Sequence, residues 1–219
     1  MSAPVIDAAV VPLSTRLREG TRAAHDRAET VTFITDLMQG RLSTAAYADL
    51  AAQQYGLYIA LEAASEQMRG SERGQSLVFD GLTRTPSIET DLAFLFGPQW
   101  RDEIDVLPVA HEYAARVAEV SDDLPRYAAH AYTRYLGDLS GGQAIKRLVQ
   151  RHYGLGEDGV AFYTFETIEK PKIFKDTYRA RLDGLELTDV EIEAAVDEAG
   201  VAFDLSARLF AALGERHSA

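Results

Sequence analysis

RYAAHAYTRYLGDLSGGQAIKRLVQRHY, residues 126–153, is strongly helical at both ends and contradictory in the middle. The flanks RYAAHAYTRY and QAIKRLVQRHY are built largely from good helix formers. Between them, YLGDLSGG (135–142) places three glycines within six positions, beside Asp138 and Ser140. Each glycine costs a helix interior on the order of 1 kcal/mol relative to alanine. Either the helix breaks into a loop here, or it kinks and something flat lies close against it. Gly137 and Gly141 are four apart, so they share a face and leave bare backbone on it. Such a face suits close helix packing and close ligand approach equally well. A phosphate loop is excluded, because no strand precedes the glycines and no Lys-Ser/Thr follows them.

Outward from this segment the pattern stays helical. Pro86, Pro98, Pro108, Pro125 and Pro171 each precede a helical pattern, as expected of a residue tolerated in the first turn. Pro12 leads into a first helix over 13–29. A long helix is predicted over 44–69, with Tyr47, Ala51, Tyr55, Tyr58 and Glu62 on one stripe. Others are predicted over 86–96, 109–120, 125–153, 172–183 and 188–213, the last opened by the capping box Thr188/Glu191. SLVF (76–79) and FYTF (162–165) are the only strand candidates, and both are too short to build a sheet. The fold class is all-α: one helical domain over 13–213, with residues 1–12 expected to be disordered and 214–219 frayed.

The 219 residues can bury a substantial core. Cysteine is absent, which excludes disulfides, thiolate metal sites and cysteine nucleophiles, and removes the main argument for a secreted scaffold. The net charge of −12 disfavours nucleic acid and anionic membrane as partners. No run approaches the ~18 apolar residues needed to span a bilayer. The start, MSAPVIDAAVVPLSTR, lacks the basic region of a signal peptide. Two basic islands interrupt the acidity. Four arginines oppose Glu19 and Asp26 between Arg16 and Arg27, and five Lys/Arg oppose Asp176 between Lys170 and Arg181. They are two solvated helix faces or the two sides of an anion site.

Among five histidines no pair has zinc spacing. His25 has the most suggestive company: Arg18, Arg22, His25 and Glu29 fall on one face of a continuous helix. One imidazole, a carboxylate to receive its other N–H and two cations suit a large anionic metal complex such as haem. The bland alternative is ordinary surface pairing worth tenths of a kcal/mol.

LREGTRAAHDRAE (17–29) together with HAYTRYLGDLSGGQ (130–143) closely resembles the haem oxygenases. YGLYIALE (55–62), DLAFLFGPQW (91–100), FKDTYRARLDGLEL (174–187) and AFDLSARLF (202–210) extend the likeness, in order, over 13–213. The resemblance implies a helical bundle with haem b between a proximal helix and a kinked, glycine-rich distal helix. It makes His25 the axial ligand of the haem iron, with Glu29 behind it. Gly137, Gly141 and Gly142 would form the distal wall, leaving room for oxygen to lie against the macrocycle. Asp138 would hold a water that delivers protons, with Tyr58 and Arg134 in the same network. Arg18, Arg22, Tyr132, Lys175 and Arg179 would hold the two propionates and so fix the in-plane rotation of haem. Phe203 would be an aromatic wall.

The implied activity is O2- and reductant-dependent cleavage of haem at the α-meso carbon to biliverdin IXα, carbon monoxide and ferrous iron. An external donor, a ferredoxin or flavoprotein reductase, is implied, since the chain has no GxGxxG fingerprint. A monomeric cytoplasmic enzyme is the expectation. Two features depart from the family pattern. Ser206 stands where many relatives have asparagine, and arginine replaces lysine at positions 18 and 22, which can change propionate geometry. The alternative is a haem-binding or haem-delivery protein on the same scaffold, against which Asp138 and the glycines argue. A thiaminase-like bundle enzyme is disfavoured by the missing cysteine.

Overall fold

The computed structural model describes residues 11–218. Most of the segment expected to be disordered, 1–12, and the terminal Ala219 lie outside them. Eleven α-helices follow one another: α1 Leu13–Gly20, α2 Arg22–Glu29, α3 Thr32–Met38, α4 Thr44–Arg69, α5 Thr85–Phe96, α6 Trp100–Glu103, α7 Pro108–Glu119, α8 Leu124–Gly137, α9 Gln143–Tyr153, α10 Pro171–Asp183 and α11 Asp189–His217. Among the described residues there is no strand. SLVF and FYTF fall instead in or beside the 3-10 turns Gln75–Leu77 and Ala161–Tyr163.

Local signals place most helix ends. Ser43 caps α4 by accepting from the Ala46 N–H at 3.2 Å. The Thr188/Glu191 capping box forms in full at the start of α11. Pro86, Pro108, Pro125 and Pro171 sit in the first turns of α5, α7, α8 and α10. Helix α11 runs through His217, past the expected end at 213, and His217 Nε2 meets Asp49 Oδ2 of α4 at 2.9 Å. The short α3 and α6 are additions to the sequence reading.

Two expected helices are divided. The helix over 13–29 is interrupted at Thr21, so Arg18 and His25 do not share one straight face. Its cause is tertiary: a Cβ on Gly20 would lie 2.6 Å from Val196 of α11, so α11 presses against the backbone there. Thr21 also donates its hydroxyl back to Leu17 O at 2.6 Å, a bond that bends helices. The helix over 125–153 is divided by a π-helical segment, Asp138–Gly142. It does not open into a loop: the helix continues through a π-helical turn, a usual site of helix kinks.

The core is unusually rich in tyrosine: Tyr47, Tyr58, Tyr113, Tyr127 and Tyr178 are fully buried. Helix α4 packs on α5, α7 and α8, and α11 packs on α1, α2, α3, α7 and α8. Helix α11 therefore joins the N-terminal helices to the glycine-bearing one. Buried Glu198 of α11 fixes that join. It accepts from Arg116 at 2.9 and 2.6 Å and meets His130 Nε2 of α8 at 2.9 Å. Burial alone would raise the Glu198 carboxyl, but His130 and Arg116 outweigh it and hold it at about 2. A depressed carboxyl stabilises the fold above its unfolded value near 4.5, and that contribution is lost as pH falls toward 2. Glu198→Ala is expected to cost about 3 kcal/mol in denaturant unfolding, because it leaves the Arg116 charge without its buried partner.

Candidate functional site

The π-helical segment is where the unusual sequence acquires a purpose. Gly137 and Gly142 have φ of −61° and −54°, ordinary right-handed values. The backbone here does not require glycine. What distinguishes the glycines is the space beside them. A Cβ on Gly137 or Gly141 would meet nothing within 4 Å, whereas one on Gly142 would lie 3.0 Å from the Tyr163 ring. Gly142 thus serves close packing, and Gly137 and Gly141 keep an open, exposed strip of backbone. The sequence left packing and ligand approach as alternatives, and the structure assigns one glycine to the first and leaves two facing open space.

Behind the strip lies a buried polar group. The π-helical turn draws Asp138 inward, 8% exposed, where it accepts a hydrogen bond from the Tyr58 hydroxyl of α4. Burial pushes the Asp138 carboxyl up, opposed by the Arg134 charge, the Tyr58 hydrogen bond and Arg84. Burial also pushes the Tyr58 phenol well up, so Tyr58 remains a donor. Arg134 resists the cost of burial through Tyr58 and Asp138 and keeps its charge. It donates to Gln54 at 3.0 Å and stands 5.3 Å from the Tyr58 ring centroid. Arg134 Nε and the hydroxyls of Tyr113 and Thr133 are buried without partners among the described residues. Ser206 donates to Ala202 O of its own helix at 2.9 Å and sits beside the Tyr113 hydroxyl. The result is a charged carboxyl–hydroxyl–guanidinium group with unfilled hydrogen-bonding capacity, the setting for ordered water.

His25 lies on α2, which packs on α11. Its side chain is 47% exposed, with Nε2 3.4 Å from Glu29 and Nδ1 3.7 Å from Asp26. Both ring nitrogens therefore face carboxylates at distances longer than an ordinary hydrogen bond. Asp26 is a partner the sequence reading did not consider. Phe203 of α11 meets the His25 ring edge-on, with centroids 5.5 Å apart.

Lys175 of α10 donates to Ser140 of the π-helical segment at 2.8 Å, so α10 reaches the glycine strip. Partial burial and the neighbouring Arg179 charge lower the Lys175 ammonium. Arg179 pairs with Asp176 at 3.0 Å. Tyr132 of α8 lies within electrostatic reach of both Arg179 and Arg18, which draws the two basic islands together. Arg18 faces Glu19 at 3.6 Å, and Arg22 is exposed at the start of α2.

The residues fit a flat, anionic macrocycle bearing a metal. The open strip at Gly137 and Gly141 admits a plane, the half-exposed imidazole of His25 is available as a single ligand, and the rim is cationic. Among the described residues no three His, Cys, Asp or Glu side chains cluster to hold a bare metal ion. No described helix is long and apolar enough to cross a membrane.

Sequence reasoning missed Tyr113, Gln54 and Arg84. All three are remote in sequence from the glycine motif, and only their common burial around Arg134 and Asp138 reveals them.

Known proteins resemble this chain over nearly its whole length. The family model described as Heme oxygenase matches residues 11–212. A heme oxygenase of Rhodella violacea is 40% identical over 200 residues, covering 90% of this chain and 85% of that protein. Heme oxygenase 1 of Rattus norvegicus is 38% identical over 99% of this chain and 78% of its own length. The crystal structure of heme oxygenase-1 from the cyanobacterium Synechocystis sp. in complex with heme superposes with a TM-score of 0.90 at 36% identity, covering 94% of each chain. With fold, order of motifs and nearly the whole length in agreement, the chain belongs to the haem oxygenase family.

Proposed function

We propose that this enzyme opens haem at the α-meso carbon to biliverdin IXα, with release of CO and ferrous iron. The observation that carries the reading is the pairing of an open glycine strip with the buried Asp138–Tyr58–Arg134 group directly behind it. Bound haem supplies both the iron that activates O2 and the ring carbon that is cleaved. The rest is done by the chain. His25 would offer one ring nitrogen to the haem iron, and the carboxylate beside the other nitrogen, Glu29 at Nε2 or Asp26 at Nδ1, would polarise the ring. Phe203 limits rotation of the imidazole. Gly137 and Gly141 place no side chain on the open strip, so a planar ligand could approach their backbone closely. Asp138, whose carboxyl burial pushes up, would relay a proton through water to the distal face. Tyr58 and Arg134 hold that carboxyl in place.

Arg18, Arg22, Tyr132, Lys175 and Arg179 bind the propionates, and their placement selects the meso carbon presented to oxygen. Electrons arrive from an external ferredoxin or flavoprotein reductase, for which the exposed Lys170 and Lys172 beside Lys175 form a basic approach. A monomer in a reducing cytoplasm suits a cysteine-free chain that depends on a reductase.

An absorption time course with one equivalent of haem, reductant and O2, with catalase present, tests the reading. Loss of the Soret band with biliverdin appearing, its isomer read by chromatography, is the expected result. A stable oxygenated complex that returns to ferric haem under several donors would instead establish a haem-binding protein. In the same assay Lys175→Ala/Arg179→Ala is expected to turn haem over while shifting a large share of product to other meso isomers. Unchanged isomer composition would remove these two side chains from the selection of the cleavage site.

A further inference from the structure

Asp91 of α5 is 1% exposed and makes no ion pair among the described residues. Its two carboxylate oxygens accept from the backbone N–H groups of Ala161 and Phe162, at 2.7 and 2.8 Å, across seventy residues of chain. The peptide segment it grips, 159–165, is fastened from three other sides. Tyr47 of α4 donates to Gly159 O at 2.7 Å. Arg84 donates to Phe162 O and Thr164 O at 3.1 and 2.7 Å and stacks 4.0 Å from the Phe165 ring centroid. Gln143, the residue that follows the π-helical segment, donates to Tyr163 O at 2.7 Å.

This segment is the surface against which the glycine-rich turn rests. The Tyr163 ring lies so close to Gly142 that a Cβ there would stand 3.0 Å away. The Phe162 ring packs edge-on against Tyr58, centroids 5.1 Å apart, and Tyr58 holds Asp138. A shift of 159–165 would therefore move the distal wall and its carboxyl together.

We propose that Asp91 is a positioning residue for the distal helix: its carboxylate holds the 159–165 segment in the place that sets the π-helical turn and Asp138. For turnover the inference rests on the proposed haem-cleaving activity. For the position of the turn it does not. The grip depends on charge state, because a protonated carboxyl turns one acceptor oxygen into a donor and leaves one buried N–H unpaired. Burial, opposed by the N–H bonds of Phe162 and Ala161, pushes the Asp91 carboxyl up to about 6. The other titratable groups facing it are Tyr47, Tyr163 and Lys146. Both tyrosines are pushed up by burial, and Lys146 is paired with Glu157 at 2.7 Å. The grip is thus complete above about pH 6 and loosens below it.

Hydrogen–deuterium exchange of the haem-free protein and its Asp91→Asn variant, at about pH 7.5 and pH 5 with intrinsic rates corrected, tests this directly. In the wild type, exchange in 159–165 and in 138–143 is expected to rise about tenfold at the lower pH, the effect of one lost buried hydrogen bond. In Asp91→Asn both segments are expected to exchange fast at both pH values, with α11 unchanged. With haem bound, the variant is expected to keep its affinity within about twofold while turnover falls about tenfold and loses its step near pH 6. Loosening confined to 159–165, or spread evenly over the molecule, would overturn the proposal. If Asp91→Asn does not fold, the wild-type pH step and Gln143→Leu decide. Gln143→Leu cuts the same link from the distal side and is expected to loosen 138–143 alone; an unchanged 138–143 would sink the idea.

Discussion

Gly137→Leu should give a better-folded protein that binds haem far more weakly. The backbone at Gly137 is right-handed helical, and a Cβ there meets nothing within 4 Å. Replacing glycine by a strong helix former then gains about 1 kcal/mol, roughly 2–4 °C in melting temperature for a domain of this size. The same side chain occupies the open strip, and displacing a close-fitting planar ligand costs up to about 3 kcal/mol, a loss of roughly 100-fold in affinity. Gly141→Leu should behave alike. Gly142→Ala should do the reverse, destabilising the fold by about 1 kcal/mol against the Tyr163 ring. Thermal melts beside haem titrations at the Soret band read both quantities. A Gly137→Leu protein that binds haem normally would show that the strip is not the ligand face.

Asp138→Asn should separate binding from chemistry. The amide keeps the size of the carboxyl and can accept from Tyr58, but it has no proton to give. Haem affinity is expected to stay within about twofold of wild type, while biliverdin formation falls roughly 100-fold, the lower range for removing a general acid. Burial raises the Asp138 carboxyl above its ordinary value. Its protonated form is therefore favoured in the fold, and both its stabilising effect and its proton are lost as pH rises through that raised value. The wild-type rate should decline on that alkaline limb, and the residual rate of Asp138→Asn should not. A variant with wild-type turnover would reduce Asp138 to a packing residue of the π-helical turn.

Much of this molecule is legible locally. Helix α4 runs over 44–69, because Ser43 caps it and its apolar stripe includes Tyr47, Ala51 and Tyr58. Pro86, Pro108, Pro125 and Pro171 mark helix starts for the reason that they lack an N–H which the first turn leaves unused. The contradiction inside 135–142 marks the site, since three glycines in a helix are tolerated only where something outside the local chain rewards them.

Long-range contacts are illegible from such signals. The sequence treats 13–29 as one helix, because no local residue short of Gly20 argues otherwise. The break lies where Val196 of α11 reaches Gly20 and Thr21 bonds back to Leu17 O. Tyr113 beside Arg134 and Asp91 beneath the 159–165 segment are equally invisible, each made meaningful by a partner far along the chain.

By itself the sequence determined an all-α chain, the position of its anomalous glycine segment, the two basic islands and the family resemblance carried by His25 and YLGDLSGG. Those properties depend on residue type and near neighbours, which a linear chain records. Only the tertiary structure decided that Gly142 packs while Gly137 and Gly141 stay open, that the segment is a π-helical turn, and that Asp138 lies buried against Tyr58. Burial and open space are properties of the assembled neighbours, and they set both the raised carboxyl of Asp138 and the room beside the glycines.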